Sequence, residues 1–294
     1  MKIQEGYMPF AGYRTYYRIA GDLQSGKPPL VLLHGGPGST HNYFEVLDFL
    51  AEEDGRALVT YDQLGCGNSY LDGHPELWKS ETWVRELITL REHLGLTRCY
   101  LLGQSWGGML LLDYVCNYNP TGLAGLILSS TLPSSELWGI EQHRMIKELP
   151  AEMQTAIEKA AASGDYTDPA YLAAEEEYML RHAAGVPDAD APECLRREKK
   201  SGREAYVTAW GPNEFTPEGT LRHYDVTAQL PLVREPTLVI SGGNDLCTPY
   251  IAKVMADGIP NARWELFRTC RHMCFAEDTP RYAALLKEWL NAHD

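Results

Sequence analysis

The stretch Tyr100-Leu101-Leu102-Gly103-Gln104-Ser105-Trp106-Gly107-Gly108 constrains the fold of this chain more than any other. A short apolar run ends in Gly-Gln-Ser-Trp-Gly, and a helix-like run from Met109 to Tyr114 follows at once. A serine held at so tight a strand-to-helix turn is pushed outward above the end of a sheet, as in a nucleophile elbow. Gly103 and Gly107 remove the Cβ atoms that would collide in such a turn. The helix N-terminus beneath the serine offers free N–H groups and a positive dipole end, which favour a developing oxyanion. The same pentapeptide also occurs by chance in ordinary turns, so its meaning depends on partners elsewhere in the chain.

The rest of the sequence reads as strands alternating with helices. Tyr7 to Ala20 has the period-two pattern of a hairpin, with Ala11-Gly12 as its turn. Leu30–Leu33 and Ala57–Tyr61 are short, continuously apolar strands, as expected where helices cover both faces of a parallel sheet. The first ends in His34-Gly-Gly-Pro-Gly38 and is followed by a helix expected from about His41 to Glu53. The second ends in Asp62-Gln-Leu-Gly-Cys-Gly-Asn-Ser69. Trp83, Leu87, Leu90 and Leu94 recur at three- and four-residue steps, predicting a helix from Trp78 to Leu94. A strand from Leu123 to Leu128 follows the elbow helix.

From about Pro133 to Leu232 no buried strand is evident. Helical stretches are expected instead at Glu136–Leu149, Ala151–Ala162, Asp168–Ala184 and Glu193–Tyr206. Strand grammar returns at Thr237–Ser241 and Trp264–Phe267, with a final helix starting at Thr279-Pro280. This order predicts an α/β class: a mostly parallel sheet flanked by helices, with right-handed crossovers and an inserted helical cap. Residues 1–131 and 233–294 form the core in this reading, and residues 132–232 form the cap over the strand ends, where open α/β sheets bind ligands.

Composition narrows the function classes. No apolar run approaches the length of a membrane span, and the N-terminal residues lack the apolar core of a signal peptide, so cytoplasmic residence is expected. Seven scattered cysteines outline neither a disulfide framework nor a zinc site, and Cys270 and Cys274 around His272 supply too few ligands for a structural zinc. Reduced thiols, no metal and no cofactor are expected. The net charge of −14 argues against nucleic acid and anionic membrane as partners. More than half of that excess lies in residues 132–232, with 18 acidic against 10 basic residues. A solvated acidic surface accounts for this, and over a binding site it would also favour cationic ligands such as free amines.

A serine nucleophile needs a base, and the base needs an orienting carboxylate. Ser105, Asp245 and His272 each follow a predicted strand, in the order serine, acid, histidine. The other histidines lie on expected helices, in loops, or in the glycine-rich run at His34. Asp62 is also post-strand but precedes the serine, and is assigned to hydrogen bonding in its glycine-rich turn. An oxyanion hole needs two converging N–H groups. Trp106, directly after the nucleophile, supplies one, and the Gly35-Gly36 loop supplies the other. That loop has neither the Lys-Ser/Thr ending of a P-loop nor the spacing of a dinucleotide site.

Four motifs, His34-Gly-Gly-Pro-Gly38, Asp62-Gln-x-Gly-x-Gly-x-Ser69, Gly103-Gln-Ser-Trp-Gly-Gly108 and Trp210-Gly-Pro-Asn-Glu-Phe-Thr216, together resemble the proline iminopeptidases. These are serine peptidases of the α/β-hydrolase fold with a helical cap. The resemblance spans nearly the whole chain and implies Ser105, Asp245 and His272 as the triad, with Gly36 and Trp106 as the oxyanion hole. It also implies that Glu214 on the cap grips the substrate's free α-amine. A carboxylate under a lid pairs well with an ammonium in a partly desolvated pocket.

One position departs from the pattern. Family members often carry a second amine-binding glutamate after the triad aspartate, and here that residue is Leu246, with Glu175 to Glu177 as candidate substitutes. The expected activity is release of an N-terminal residue, preferably proline, from a short peptide or aminoacyl-amide through an acyl-enzyme. Alternatives are an amino-acid amidase or small-acyl esterase, and a catalytically silent binding module on the same scaffold. The sequence leaves the oligomeric state open.

Overall fold

The computed structural model describes all residues from Met1 to Asp294. Its centre is one eight-stranded sheet in the order β1-β2-β4-β3-β5-β6-β7-β8. The strands are β1 (Ile3–Phe10), β2 (Tyr13–Ala20), β3 (Leu30–Leu33), β4 (Leu58–Tyr61), β5 (Cys99–Gln104), β6 (Leu123–Ser129), β7 (Thr237–Gly242) and β8 (Ala262–Phe267). The β1–β2 hairpin and its pairing to β4 are antiparallel; every other pair is parallel. The hairpin turns at Ala11 and Gly12, both at positive φ.

Helices α1 (Leu50–Glu53), α2 (Ser80–His93) and α3 (Trp106–Tyr118) connect the first strands. Between β6 and β7 the chain runs through α4 (Ser135–Ile146), α5 (Ala151–Ser163), α6 (Pro169–His182), α7 (Glu193–Arg196) and α8 (Arg203–Ala209), with no strand among them. The chain ends with α9 (Pro249–Gly258), α10 (Cys274–Glu277) and α11 (Thr279–Ala292). No helix is long and apolar enough to cross a membrane.

Alternate residues of the central strands feed opposite faces, as the pleat requires. Leu30, Leu32, Tyr100, Leu102, Leu238 and Ile240 pack with Phe44, Phe275, Tyr282 and Trp289 on one side. Val31, Leu33, Leu101, Leu126, Leu128 and Val239 pack on the other side with Trp83, Leu87, Leu110 and Met255. This second cluster continues without a break into Trp138, Tyr171, Tyr178 and Phe215, from the region between β6 and β7.

Two elements differ from the sequence expectation. The helix expected over His41–Glu53 is a 3-10 segment, His41–Leu47, followed by the single turn α1. Its Asn, Tyr, Phe and Val residues are weak helix formers, and Asp48, at the break, is drawn into a buried ion pair with Arg18. The helix expected over Glu193–Tyr206 is split into α7 and α8. The intervening backbone is claimed by the core instead: Gly202 N–H donates to Gly38 O (2.8 Å), and Gly67 N–H donates to Lys200 O (2.8 Å). The last helix begins at Thr279, as expected, and is capped by Asp278 through the Arg281 N–H.

Candidate active site

Ser105 sits between β5 and α3 with φ 54° and ψ −124°, a conformation that side-chain-bearing residues rarely adopt. Such backbone costs of order 1–3 kcal/mol and persists only where its surroundings over-determine it. They do so here. The Ser105 N–H donates to Ser129 O (3.0 Å), and the Ser105 carbonyl accepts from the Thr131 hydroxyl (2.7 Å). A Cβ at Gly103 would fall on the Gly107 carbonyl, and one at Gly107 on the Leu33 carbonyl.

Asp245 and His272 lie on the loops after β7 and β8, and His272 Nδ1 is 2.7 Å from Asp245 Oδ1. The carboxylate also accepts from Cys247 N–H (2.8 Å), Gly242 N–H (2.9 Å) and the Ser130 hydroxyl (2.6 Å). Surrounded by donors, Asp245 acts as an acceptor only, so the His272 proton resides on Nδ1 and Nε2 is left as a base. The ring is packed edge-to-face against Trp138, with centroids 6.1 Å apart. Its backbone N–H is held by the carbonyls of His182 and Ala183 at the end of α6 (both 3.1 Å), and the Leu246 N–H by that of His182 (3.2 Å).

The loop after β3 supplies the facing wall. Gly36 has φ 116°, and neither its N–H nor that of Trp106, the first residue of α3, donates to an acceptor within the chain. The preceding Gly35 N–H is already taken by the Tyr43 hydroxyl (2.6 Å), which in turn donates to Gln104 Oε1 (2.9 Å). Gln63 ties the Trp106 indole to the start of this loop, accepting from Trp106 Nε1 (2.7 Å) and donating to His34 O (2.9 Å). Below it, His34 Nε2 accepts from Gln63 N–H and Nδ1 faces Gly35 O. Burial lowers the His34 pKa to about 4, so its ring is a neutral strut at physiological pH. Asp62 accepts from the His41 backbone N–H and from Asn68 N–H within its glycine-rich turn, and its Oδ1 is 2.7 Å from His41 Nδ1.

Ser105, Gly36, His272 and Glu214 line one cavity of about 420 Å³, within the usual range for small-ligand sites. Glu214 is half-buried, and its Oε1 accepts from the Tyr206 hydroxyl (2.8 Å). Desolvation pushes its carboxyl pKa above the usual range, and the Tyr206 hydrogen bond and nearby His272 oppose that shift. Trp138 connects the two sides, donating from Nε1 to Glu214 O (2.7 Å) while packing on His272. Leu246 is buried and contributes to the apolar wall with Met179, Ala183 and Met273. Of the three acids raised as substitutes for a second glutamate, Glu175 and Glu176 share an adjoining recess with Glu214 and Tyr206, whereas Glu177 pairs with Arg181.

All six residues singled out from the sequence thus lie in or immediately beside this cavity. Sequence reasoning missed Gln63, Tyr43, Ser130, Trp138 and the α6 carbonyls. Gln63 was signalled by its place in the Asp62-Gln motif; the others carry no local signature.

A sheet of this order, with a serine on a strained turn and an aspartate–histidine pair on later strand ends, defines an α/β hydrolase. Residues 28–279 match the family model described as the alpha/beta hydrolase fold. Over full length the chain is 57% identical to a proline iminopeptidase of Clostridium botulinum and 58% identical to one of Lactobacillus helveticus, covering 100% of both sequences in each case. The crystal structure of the Mycobacterium smegmatis proline iminopeptidase superposes with a TM-score of 0.86 at 32% identity, over 99% of this chain and 98% of that one. The chain belongs to the proline iminopeptidase family.

Proposed function

We propose that this protein is a serine aminopeptidase that releases an N-terminal residue, preferably proline, from short peptides through an acyl-enzyme. One observation carries the reading: the serine elbow and the Asp245–His272 pair share their cavity with a half-buried carboxylate, Glu214, suited to an ammonium. Membership of the proline iminopeptidase family supports the same chemistry.

In this mechanism Glu214 holds the substrate's α-ammonium and sets its first carbonyl over Ser105. Ser105 Oγ attacks the carbonyl carbon as His272 Nε2 takes the hydroxyl proton. Asp245 keeps the imidazole in its Nδ1–H tautomer and stabilises the imidazolium. The Gly36 and Trp106 N–H groups receive the oxyanion. Collapse breaks the C–N bond, and His272 returns the proton to the leaving amine. Water, deprotonated by the same imidazole, then releases the amino acid and regenerates Ser105. The helices of residues 132–232 act as a cap that admits chain ends and excludes folded proteins. The buried Leu246 wall and the aromatic side chains suit a compact apolar ring such as proline.

Turnover of prolyl and alanyl anilides should be measured beside that of simple acyl esters, for the wild type, Ser105→Ala and Glu214→Gln. Prolyl-anilide hydrolysis should dominate and fall by about 10⁴-fold or more in Ser105→Ala. Glu214→Gln should raise KM for free-amine substrates and have little effect on esters lacking an amine. Rapid ester turnover with no aminoacyl cleavage would favour the esterase alternative and defeat the aminopeptidase reading.

A further inference from the structure

The cavity at Ser105 carries charge of both signs. Glu214 shares it with His272, whose proximity works against the desolvation of the Glu214 carboxyl. Lys199 lines the cavity elsewhere, with Gly36, Pro37, Gly38 and Tyr43, and acts instead on His34 under the oxyanion loop. Its ammonium stands 5.0 Å from the Tyr43 ring centroid, and Tyr43 is the residue whose hydroxyl holds the Gly35 N–H.

Lys199 makes no ion pair, in a chain with 40 acidic residues against 26 basic ones. Its neighbours are engaged: Arg197 bridges Glu45 and Glu193, and Lys200 sits over the Tyr70 ring. Partial burial lowers the Lys199 pKa, since the ammonium has exchanged water for a site without a counter-ion. Nor is the segment loosely tethered. The Gly202–Gly38 and Gly67–Lys200 backbone hydrogen bonds fasten it to two core loops. A Cβ on Gly38 would come within 2.5 Å of Gly202 O. The core therefore holds a partly desolvated, unpaired ammonium against the oxyanion loop, in the same cavity as the nucleophile.

We propose that Lys199 receives the C-terminal carboxylate of a di- or tripeptide substrate, making it the specificity-determining residue for short zwitterionic peptides. The inference rests on the aminopeptidase reading: with the α-ammonium on Glu214 and the scissile carbonyl at Ser105, the leaving portion runs past the Gly36–Gly38 loop towards Lys199. A charge-assisted contact in a partly dry site binds substrate before and during bond cleavage, so its effect falls on KM more than on kcat.

The test compares Pro-Ala with Pro-Ala-amide, and Pro-Ala-Ala with its amide, in the wild type, Lys199→Gln and Lys199→Arg. The readout is the acid-to-amide ratio of kcat/KM. The wild type should prefer at least one of the two acids by about tenfold or more, with KM carrying the difference and added salt reducing it. Lys199→Gln should bring that ratio close to one, and Lys199→Arg should keep most of it. A purely structural lysine would lower acid and amide alike. A ratio near one in the wild type at both lengths, or one unchanged in Lys199→Gln, overturns the proposal. Prolyl-anilide hydrolysis by the wild type separates the two failures. If it persists while the ratio is flat, only the role of Lys199 falls; if it is absent, the aminopeptidase reading falls and this inference falls with it.

Discussion

At the scale of single residues, the site works by withholding partners from some groups and over-supplying others. Asp245 has four donors on its two oxygens, while the Gly36 and Trp106 N–H groups have no acceptor within the chain. Glu214 lies between these extremes, with one hydroxyl partner and a carboxyl whose pKa desolvation raises above the ordinary carboxylate range. Ammonium binding requires the ionised form, so as pH falls the carboxyl protonates earlier than an exposed glutamate would. The acid limb of kcat/KM for prolyl anilide should therefore contain a component at higher pH than an ordinary glutamate would give, and that component should disappear in Glu214→Gln. A pH–rate profile of the two proteins checks this, and identical acid limbs would remove Glu214 from amine binding. The Tyr206 hydroxyl stays protonated throughout, its own pKa raised by burial and by Glu214.

Secondary-structure elements were legible in the sequence where local pattern and tertiary demand agree. The apolar strands, the elbow and the post-strand positions of Asp245 and His272 all follow from runs of a few residues. The elements that deviated are those where a distant partner prevails. Glu193–Tyr206 has helical periodicity, yet its middle is bonded to Gly38 and Gly67, more than a hundred residues earlier. No local pattern encodes that competition. The same reason hid the α6 carbonyls that hold His272, because ordinary helix ends carry no mark of what they bind. The strap joining α7 to α8 gives a test at this scale. Gly202 has φ −84°, which alanine tolerates, but a Cβ there would press on the Gly65 carbonyl. Gly202→Ala should lower stability by about 1–3 kcal/mol through overpacking alone. It should also speed hydrogen exchange at the Gly67 and Gly202 amides. Melting curves and exchange rates equal to those of the wild type would show that the strap yields without cost.

Across the whole molecule, the apolar cluster on one face of the sheet runs without interruption from Val31 and Leu101 into Trp138, Tyr171 and Phe215. Glu204 on α8 adds polar ties to Gly73, His74 and Trp78. Sheet and inserted helices should therefore unfold as one unit. Calorimetric and van't Hoff enthalpies should agree, and tryptophan probes in the two regions should report a single transition. Two separated transitions would mean that the inserted helices melt on their own. Fastening of this kind bears on how substrate enters. The carbonyls at the end of α6 are also the anchors of the Leu246 and His272 amides, so lifting the inserted helices away would draw the His272 backbone out of place. On the proposed mechanism the assembly would act as an interlock, competent only while the inserted helices stay seated, so that peptides would have to enter without lifting them. On the same mechanism, an acyl-enzyme formed under the seated helices would be open to water and closed to bulky nucleophiles.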